Sequence, residues 1–239
     1  MFQPRTYRQT TSHPGLIGFR VCVAETDLQI AADRDLSALA LSAVKAARGA
    51  IETAIVRDPR FLTSLEPLPT PKGATGIVRR MYRATERAGV GPMAAVAGAV
   101  AQVVGEVVLS KSEQVIVENG GDIFLQTKTA RVIGVQAGPS PLSGHFGLSI
   151  PGGSRLGVCT SSATVGHSLS LGKADAGMII CEDAALADAF ATTLANQVQT
   201  PADVQGAIDW ARTVPEIKAA LVIIGETLGV CGEYDLVPV

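Results

Sequence analysis

The chain has 239 residues, enough for one large domain or two closely packed ones with a substantial core. It is 47% apolar but only 4% aromatic, so the core must be built from Ala, Val, Ile and Leu. A net charge of −2 with no basic run excludes an electrostatic footprint for nucleic acid.

The opening "MFQPRTYRQTTSHPG" lacks the charged-then-apolar layout of an export signal, and a cytoplasmic protein is expected. Two strand-like runs follow one another, "TYRQTTS" and "LIGFRVCVAETDLQIAAD", joined by the turn-forming "HPG". Asp35 is placed to cap a helix over "LSALALSAVKAARGAIETAIV", where apolar residues recur three and four apart. Residues 58–74 are proline-rich and aperiodic, which predicts a connecting loop. A second helix is expected at roughly 75–88. "GVGP" then breaks it and starts a third, with Pro92 in its first turn.

The run "VGPMAAVAGAVAQVVGEVVL" is the nearest approach to a membrane segment. Its residues are small and it carries Pro92, Gln102 and Glu106, whereas a bilayer span wants about 20 strongly apolar residues. A helix buried inside the protein fits better, and no membrane partner is expected.

"QVIVENGGDIFLQ" holds two apolar runs around Asn-Gly-Gly, the strongest hairpin signal in the chain. In the plain reading Asn119 and Gly120 supply the positive φ values of a tight turn and Asp122 is merely solvated. In the sharper one, Gly120 and Gly121 bare backbone amides to a ligand, with Asp122 beside it. "RVIGVQAG", "HFGLSI" and "RLGVCTSS" continue the sheet. The last of these ends in Thr160, Ser161 and Ser162 and leads into a loop with His167, Ser168, Ser170 and Lys173. Such a loop is either a polar connector or a recognition surface for phosphate or a flat polar ring. A Ser-His-Asp arrangement from Ser161 or Ser162, His167, and Asp175 or Asp188 is a further reading, without the Gly-x-Ser-x-Gly elbow that would support it.

"ADAGMIIC" is a strand that feeds the helix "CEDAALADAFATTLANQV". On that helix Asp188, Thr192 and Asn196 fall on one face, within about 80°. The stripe is either a mild solvent face or a set of oxygens aimed inward. No charged side chain occurs from Ala189 to Ala202, which suggests that both faces are covered. A buried carboxylate needs hydrogen bonds or a cation, and carboxylate plus hydroxyl is a hard-ligand set suited to Mg²⁺. A short helix from Pro201 and two closing strands, "AALVIIG" and "VCGEYDLVPV", complete an α+β pattern of mainly antiparallel sheet. Cys22, Cys159, Cys181 and Cys231 stand in apolar, strand-like contexts without Cys-x-x-Cys spacing and read as buried free thiols.

Taken together, "ENGGDI", "TSS…GHS…GKAD" and "ADAFATTLAN" resemble, in order and approximate spacing, the ApbE-like proteins, a family that includes the FAD:protein FMN transferases. The fuller resemblance, through "GVGPMAAVAGAVA" and along almost the whole length, is to a subgroup of short ApbE-like proteins. It implies one ApbE-like domain over residues 1–239. Its fold would be α+β, with mainly antiparallel sheets and packed helices in two interlocked halves around a ligand cleft. It implies Mg²⁺ held by Asp188 and Thr192 against the FAD pyrophosphate, with FAD or FMN as the flavin. His167 and Asp188 would be catalytic, and Asn119, Gly120, Gly121, Asp122, Thr160, Ser161, Ser162, His167 and Ser168 would line the cofactor.

The family's N-terminal Ser-x-x-x-x-Leu-Asn block is not found, and the proline-rich loop and "GVGPMAAVAGA" stand in its place. Three functions follow as expectations: a Mg²⁺-assisted flavin transferase-like enzyme, a flavin- or metabolite-binding accessory protein without turnover, and a serine hydrolase. The partner would be a flavin or another phosphate-bearing small molecule, and the apolar richness suits a homodimer.

Overall fold

The computed structural model describes residues 13–164 and 171–239. The strand expected at "TYRQTTS" lies outside them. The first described elements are β1 (Ile17–Val23) and β2 (Thr26–Ala32), an antiparallel hairpin where the sequence suggested one continuous strand. The chain reverses at Ala24, whose φ is 49°. Alanine carries no turn signal, which is why the reversal was not legible.

Helix α1 (Ser37–Arg57) buries Ala40, Ala43, Val44, Ala47 and Ile51, the stripe its periodicity predicts. Asp35 accepts the Ser37 N–H at 2.8 Å, although the residue at the cap position itself is Leu36. The proline-rich connection is not wholly irregular. A one-turn helix α2 (Arg60–Thr63) lies within it and buries Phe61 edge-on against Tyr82, with ring centroids 5.1 Å apart. Helix α3 (Gly76–Ala88) is followed by a 3-10 turn at Pro92–Ala95 and then α4 (Val96–Val108). No single helix among the described residues is long and apolar enough to cross a membrane. Most of α4 is core, including the polar Gln102 at 3% exposure.

The strands β3 (Val115–Asn119) and β4 (Asp122–Gln126) form the expected hairpin. Its positive φ values fall on Gly120 (71°) and Gly121 (107°), not on Asn119, which is still in strand conformation. Next come β5 (Arg131–Gly134), β6 (Phe146–Ile150), β7 (Arg155–Ser161) and β8 (Ala176–Cys181). Helix α5 (Ala184–Asn196) starts at an Asp183 cap whose side chain accepts the Leu186 N–H. After it come a 3-10 turn at Pro201–Asp203, α6 (Val204–Thr213), β9 (Ala219–Ile224), β10 (Thr227–Gly232) and β11 (Leu236–Pro238). The closing "VCGEYDLVPV" is thus divided: its first part ends β10, and its last part crosses to another sheet.

Eight strands form one sheet in the order β1-β2-β3-β4-β7-β8-β9-β10, and β11-β6-β5 form a second. Every described pairing is antiparallel. Alternation along the strands divides the core into two. Val117, Phe124, Cys159, Ile179 and Val222 face the helices, and Ile116, Leu125, Val158, Ile180 and Leu221 face the small sheet through Leu148 and Ile150. The large sheet is therefore the middle of three layers, and α5 lies against β7 and β8 with α4 and α3 alongside. This is the α+β arrangement of antiparallel sheets and packed helices. Cys159 and Cys181 are buried free thiols as expected. Cys231 is half-buried and Cys22 is exposed, because its strand position turns outward.

Candidate functional site

Two local facts bring the motifs of the sequence into one place. The first is the closeness of α4 and α5. A Cβ built on Gly98 would stand 2.2 Å from the Ala184 carbonyl oxygen and 2.8 Å from Asp188 Cβ, so only hydrogen fits there. The second is the closeness of α5 to the sheet: a Cβ on Gly157 of β7 would stand 2.2 Å from Ala184 Cα. The first turn of α5 is thus pressed between two backbones.

That placement carries Asp188 to the start of α4. Asp188 Oδ2 accepts the Gly98 N–H at 2.9 Å, so the carboxylate takes the place of the cap that α4 lacks in its own sequence. The hairpin tip reaches the same spot. Asn119 Nδ2 donates to the Ala97 carbonyl at 3.1 Å, and the Gly121 N–H donates to Glu118 Oε1 at 2.8 Å. Asp122, 8% exposed, accepts the Thr160 N–H at 3.2 Å. Cys159 Sγ donates to the Ala184 carbonyl at 3.3 Å.

Electrostatically this is an acidic pocket whose carboxyls hold their protons to higher pH than usual. Burial pushes the Asp188 carboxyl up to about 7, against the opposing N–H groups of Gly98 and Ala97. Burial also pushes Asp122 well above the ordinary carboxylate range, and the neighbouring Asp188 charge pushes it further. The Cys159 thiol is raised by burial and then by the charges of Asp122 and Asp188. No Lys, Arg or His among the described residues pairs with either carboxyl.

The stripe on α5 is half-buried rather than openly solvated: Asp188, Thr192 and Asn196 each keep partial exposure. Ala184, Ala185, Ala187, Ala189, Ala191 and Ala195 are buried around it. Asp188 points to α4, and Asn196 Oδ1 accepts the Leu171 N–H at 2.9 Å. Thr192, one turn beyond Asp188 on the same face, is half-buried. Asn119, Gly121, Asp122, Thr160 and Asp188 come together with the first turn of α4, and Gly120 forms the hairpin turn beside them. Ser161 is the last residue of β7. Ser162 turns away into a different polar string, in which its Oγ accepts the Thr164 N–H at 3.0 Å. Thr164 Oγ1 donates to Asp175, whose other oxygen accepts the Gly225 N–H at 2.8 Å. Asp175 is thereby committed to holding the β9–β10 turn. His167 and Ser168 lie outside the described residues.

Among the described residues no three His, Cys, Asp or Glu side chains converge as a complete metal cage. The donor set does fit a cation that completes its shell with ligand oxygens. Mg²⁺ uses one or two carboxylates plus phosphate and water, and a divalent ion would relieve the buried Asp122 carboxyl that the neighbouring Asp188 charge raises. Sequence reasoning did not identify the Gly98 N–H, Cys159 or Gln102 as parts of this neighbourhood. Gln102 left a trace as a lone amide in an apolar run, and Gly98 left one as a small residue permitting close approach of a neighbouring element.

The sequence profile of the family described as AbpE bacteria matches residues 8–220. The UPF0280 protein of Methanocella arvoryzae is 42% identical over 212 residues, covering 88% of this chain and 86% of that protein. The UPF0280 protein of Methanopyrus kandleri is 41% identical over 224 residues, covering 91% of each. Among solved structures, a mutant of the flavin transferase ApbE from Vibrio cholerae superposes with a TM-score of 0.60 at 11% identity, covering 90% of this chain and 96% of that one. The apo flavinyl transferase ApbE of Pseudomonas stutzeri gives 0.58 at 10% identity, covering 90% and 94%. At such identities the likeness is one of fold.

Proposed function

This chain belongs to the AbpE bacteria family of ApbE-like proteins, and on that premise we propose that it binds a flavin nucleotide together with Mg²⁺ and acts as a flavin transferase-like enzyme. One observation carries the reading: the buried carboxyl of Asp122 and the half-buried carboxyl of Asp188 stand together near the start of α4 with no cationic side chain among the described residues to neutralise them. Asp188 and Thr192 would hold the ion. Bound there, Mg²⁺ would supply charge neutralisation for a pyrophosphate and its leaving phosphate.

The remaining roles belong to the chain itself. Gly120 and Gly121 keep the hairpin tip free of side chains, so a ligand can approach the backbone. Asn119 fixes that tip to α4. Ser161, at the end of β7, offers a hydroxyl donor, and Asp122, which holds the Thr160 N–H, can keep a proton beside it. His167, with Ser168, would orient the phosphate-bearing ligand or protonate its leaving group. The likeness to structures named flavin transferases supports a flavin over other phosphate-bearing ligands.

The test is a thermal-shift series with FAD and FMN, each with and without Mg²⁺, followed by assay of AMP release from FAD. Stabilisation by FAD that requires Mg²⁺ is expected, and no flavin shift under any condition would overturn the reading. A flavin-binding accessory role without turnover is the second reading. It is favoured by the proline-rich loop and "GVGPMAAVAGA" standing in the sequence in place of the family's Ser-x-x-x-x-Leu-Asn block. Tight FAD binding with no AMP release would select it. A serine hydrolase through Ser162 and Asp175 is disfavoured, because both are engaged in the turn network around Thr164 and Gly225.

A further inference from the structure

We propose that Gln102 is a positioning residue for Asp188: through the first N–H of α5 it sets where that carboxylate stands. The consequence for a cation rests on the metal reading above. Gln102 is 3% exposed, in the middle of α4, where an uncharged amide has to be matched on both sides. It is matched. Its Oε1 accepts the Ala184 N–H at 2.8 Å, and its Nε2 donates to Glu106 Oε1 at 2.9 Å. Donor and acceptor are thus assigned by the partners: a backbone N–H can only donate and a carboxylate can only accept.

Glu106 is itself held from two directions, by Arg80 at 3.1 Å and Arg155 at 3.3 Å. Arg80 also approaches Asp183, the cap of α5, at 3.4 Å. A chain of contacts therefore runs from the surface arginines through Glu106 and Gln102 to the start of α5.

Ala184 is where it ends. Its N–H goes to Gln102, its carbonyl to Cys159, and its backbone fills the space left by Gly98 and Gly157. Asp188 is one helical turn further on, so the position of Ala184 along α4 fixes the reach of the carboxylate. Gly98 and Gln102 lie one turn apart on α4. The first binds Asp188 through its N–H, and the second binds Ala184 through its side chain. The two contacts together set the register between the helices. The arrangement is that of an outer-shell orienter, which acts on the ion only through the ligand it holds.

The test replaces the amide while leaving the volume. In Q102L the Ala184 N–H loses its partner, and two quantities are read. One is the exchange rate of the Gly98 amide by NMR, which reports whether Asp188 still covers it. The other is the dissociation constant of Mn²⁺ alone, by electron paramagnetic resonance. Exchange at Gly98 should speed up about tenfold while the Leu221 amide in β9 is unchanged, and Mn²⁺ binding should weaken about 10- to 100-fold. The double swap Q102E/E106Q keeps an acceptor for Ala184 and a donor for that acceptor, and should restore both quantities to within about threefold.

Should Q102L not fold, Q102N, whose amide falls short of Ala184, is read the same way. Unchanged Gly98 exchange in the folded variant overturns the proposal, as does a loss that the swap fails to restore. A parent chain that binds no Mn²⁺ overturns the metal reading instead, and the Gly98 amide still decides whether Gln102 sets Asp188.

Discussion

One oxygen of Asp188 receives the Gly98 N–H, and burial raises the same carboxyl to about 7. These two facts separate what its substitutions do. Asp188→Asn keeps an oxygen acceptor for Gly98 and loses only the charge. Its thermal stability should stay close to the parent, while stabilisation by Mg²⁺ with FAD disappears. Asp188→Ala should lose the same ligand response and, in addition, about 1 kcal/mol of stability with the cap. Retained Mg²⁺-dependent binding in both variants would remove Asp188 from the site. The pH dependence follows from the raised folded value. An unfolded Asp releases its proton near about 3.9. Between there and about 7 the folded chain binds more protons than the unfolded one, so metal-free stability should fall as pH rises through that window. Melting curves across it should show the decline in the parent and a flatter profile in Asp188→Asn. Mg²⁺ should matter little near about pH 5 and more near about pH 8, since the ion needs the deprotonated carboxylate.

Helix α4 meets α5 at Gly98, where even a methyl group would run into the Ala184 carbonyl. Gly98→Ala should therefore force the helices apart and cost about 1–3 kcal/mol, despite the better helix propensity of alanine. A denaturant midpoint equal to the parent's would mean the helices separate freely. The same contact marks the limit of what could be read in advance. Helices α1, α3, α4 and α5 and the β3–β4 hairpin were legible because each carries its own period or turn residues. The reversal at Ala24, the single turn of α2 and the division of β10 from β11 carry no such mark. Stability there comes from packing partners distant in the chain. The site divides along the same line. The Asp188-Thr192-Asn196 stripe could be seen on one helix, but the Gly98–Asp188 bond spans 90 residues and the Gln102–Ala184 bond spans 82, and no local pattern encodes either.

At the scale of the molecule, the two apolar cores lie on opposite faces of one eight-stranded sheet, so neither can open without exposing strands that the other needs. Calorimetry should accordingly give a single transition, with the van't Hoff and calorimetric enthalpies in agreement. Two resolved transitions would mean that the helical layer and the small sheet melt as separate units. The order of strands has a further effect, on the time course of folding. From β3 to β10 each strand of the large sheet pairs with the next large-sheet strand along the chain, whereas β2 must find β3 across the whole helical excursion from Ala32 to Val115. Closing so long a loop is slow, and it comes late. During synthesis the β1–β2 hairpin emerges ahead of β3 and then waits with the edge of β2 unpaired by β3 until Val115–Asn119 leaves the ribosome. For that interval an apolar strand edge is open to any other chain, and protection of the nascent hairpin becomes part of what this fold requires of its cell.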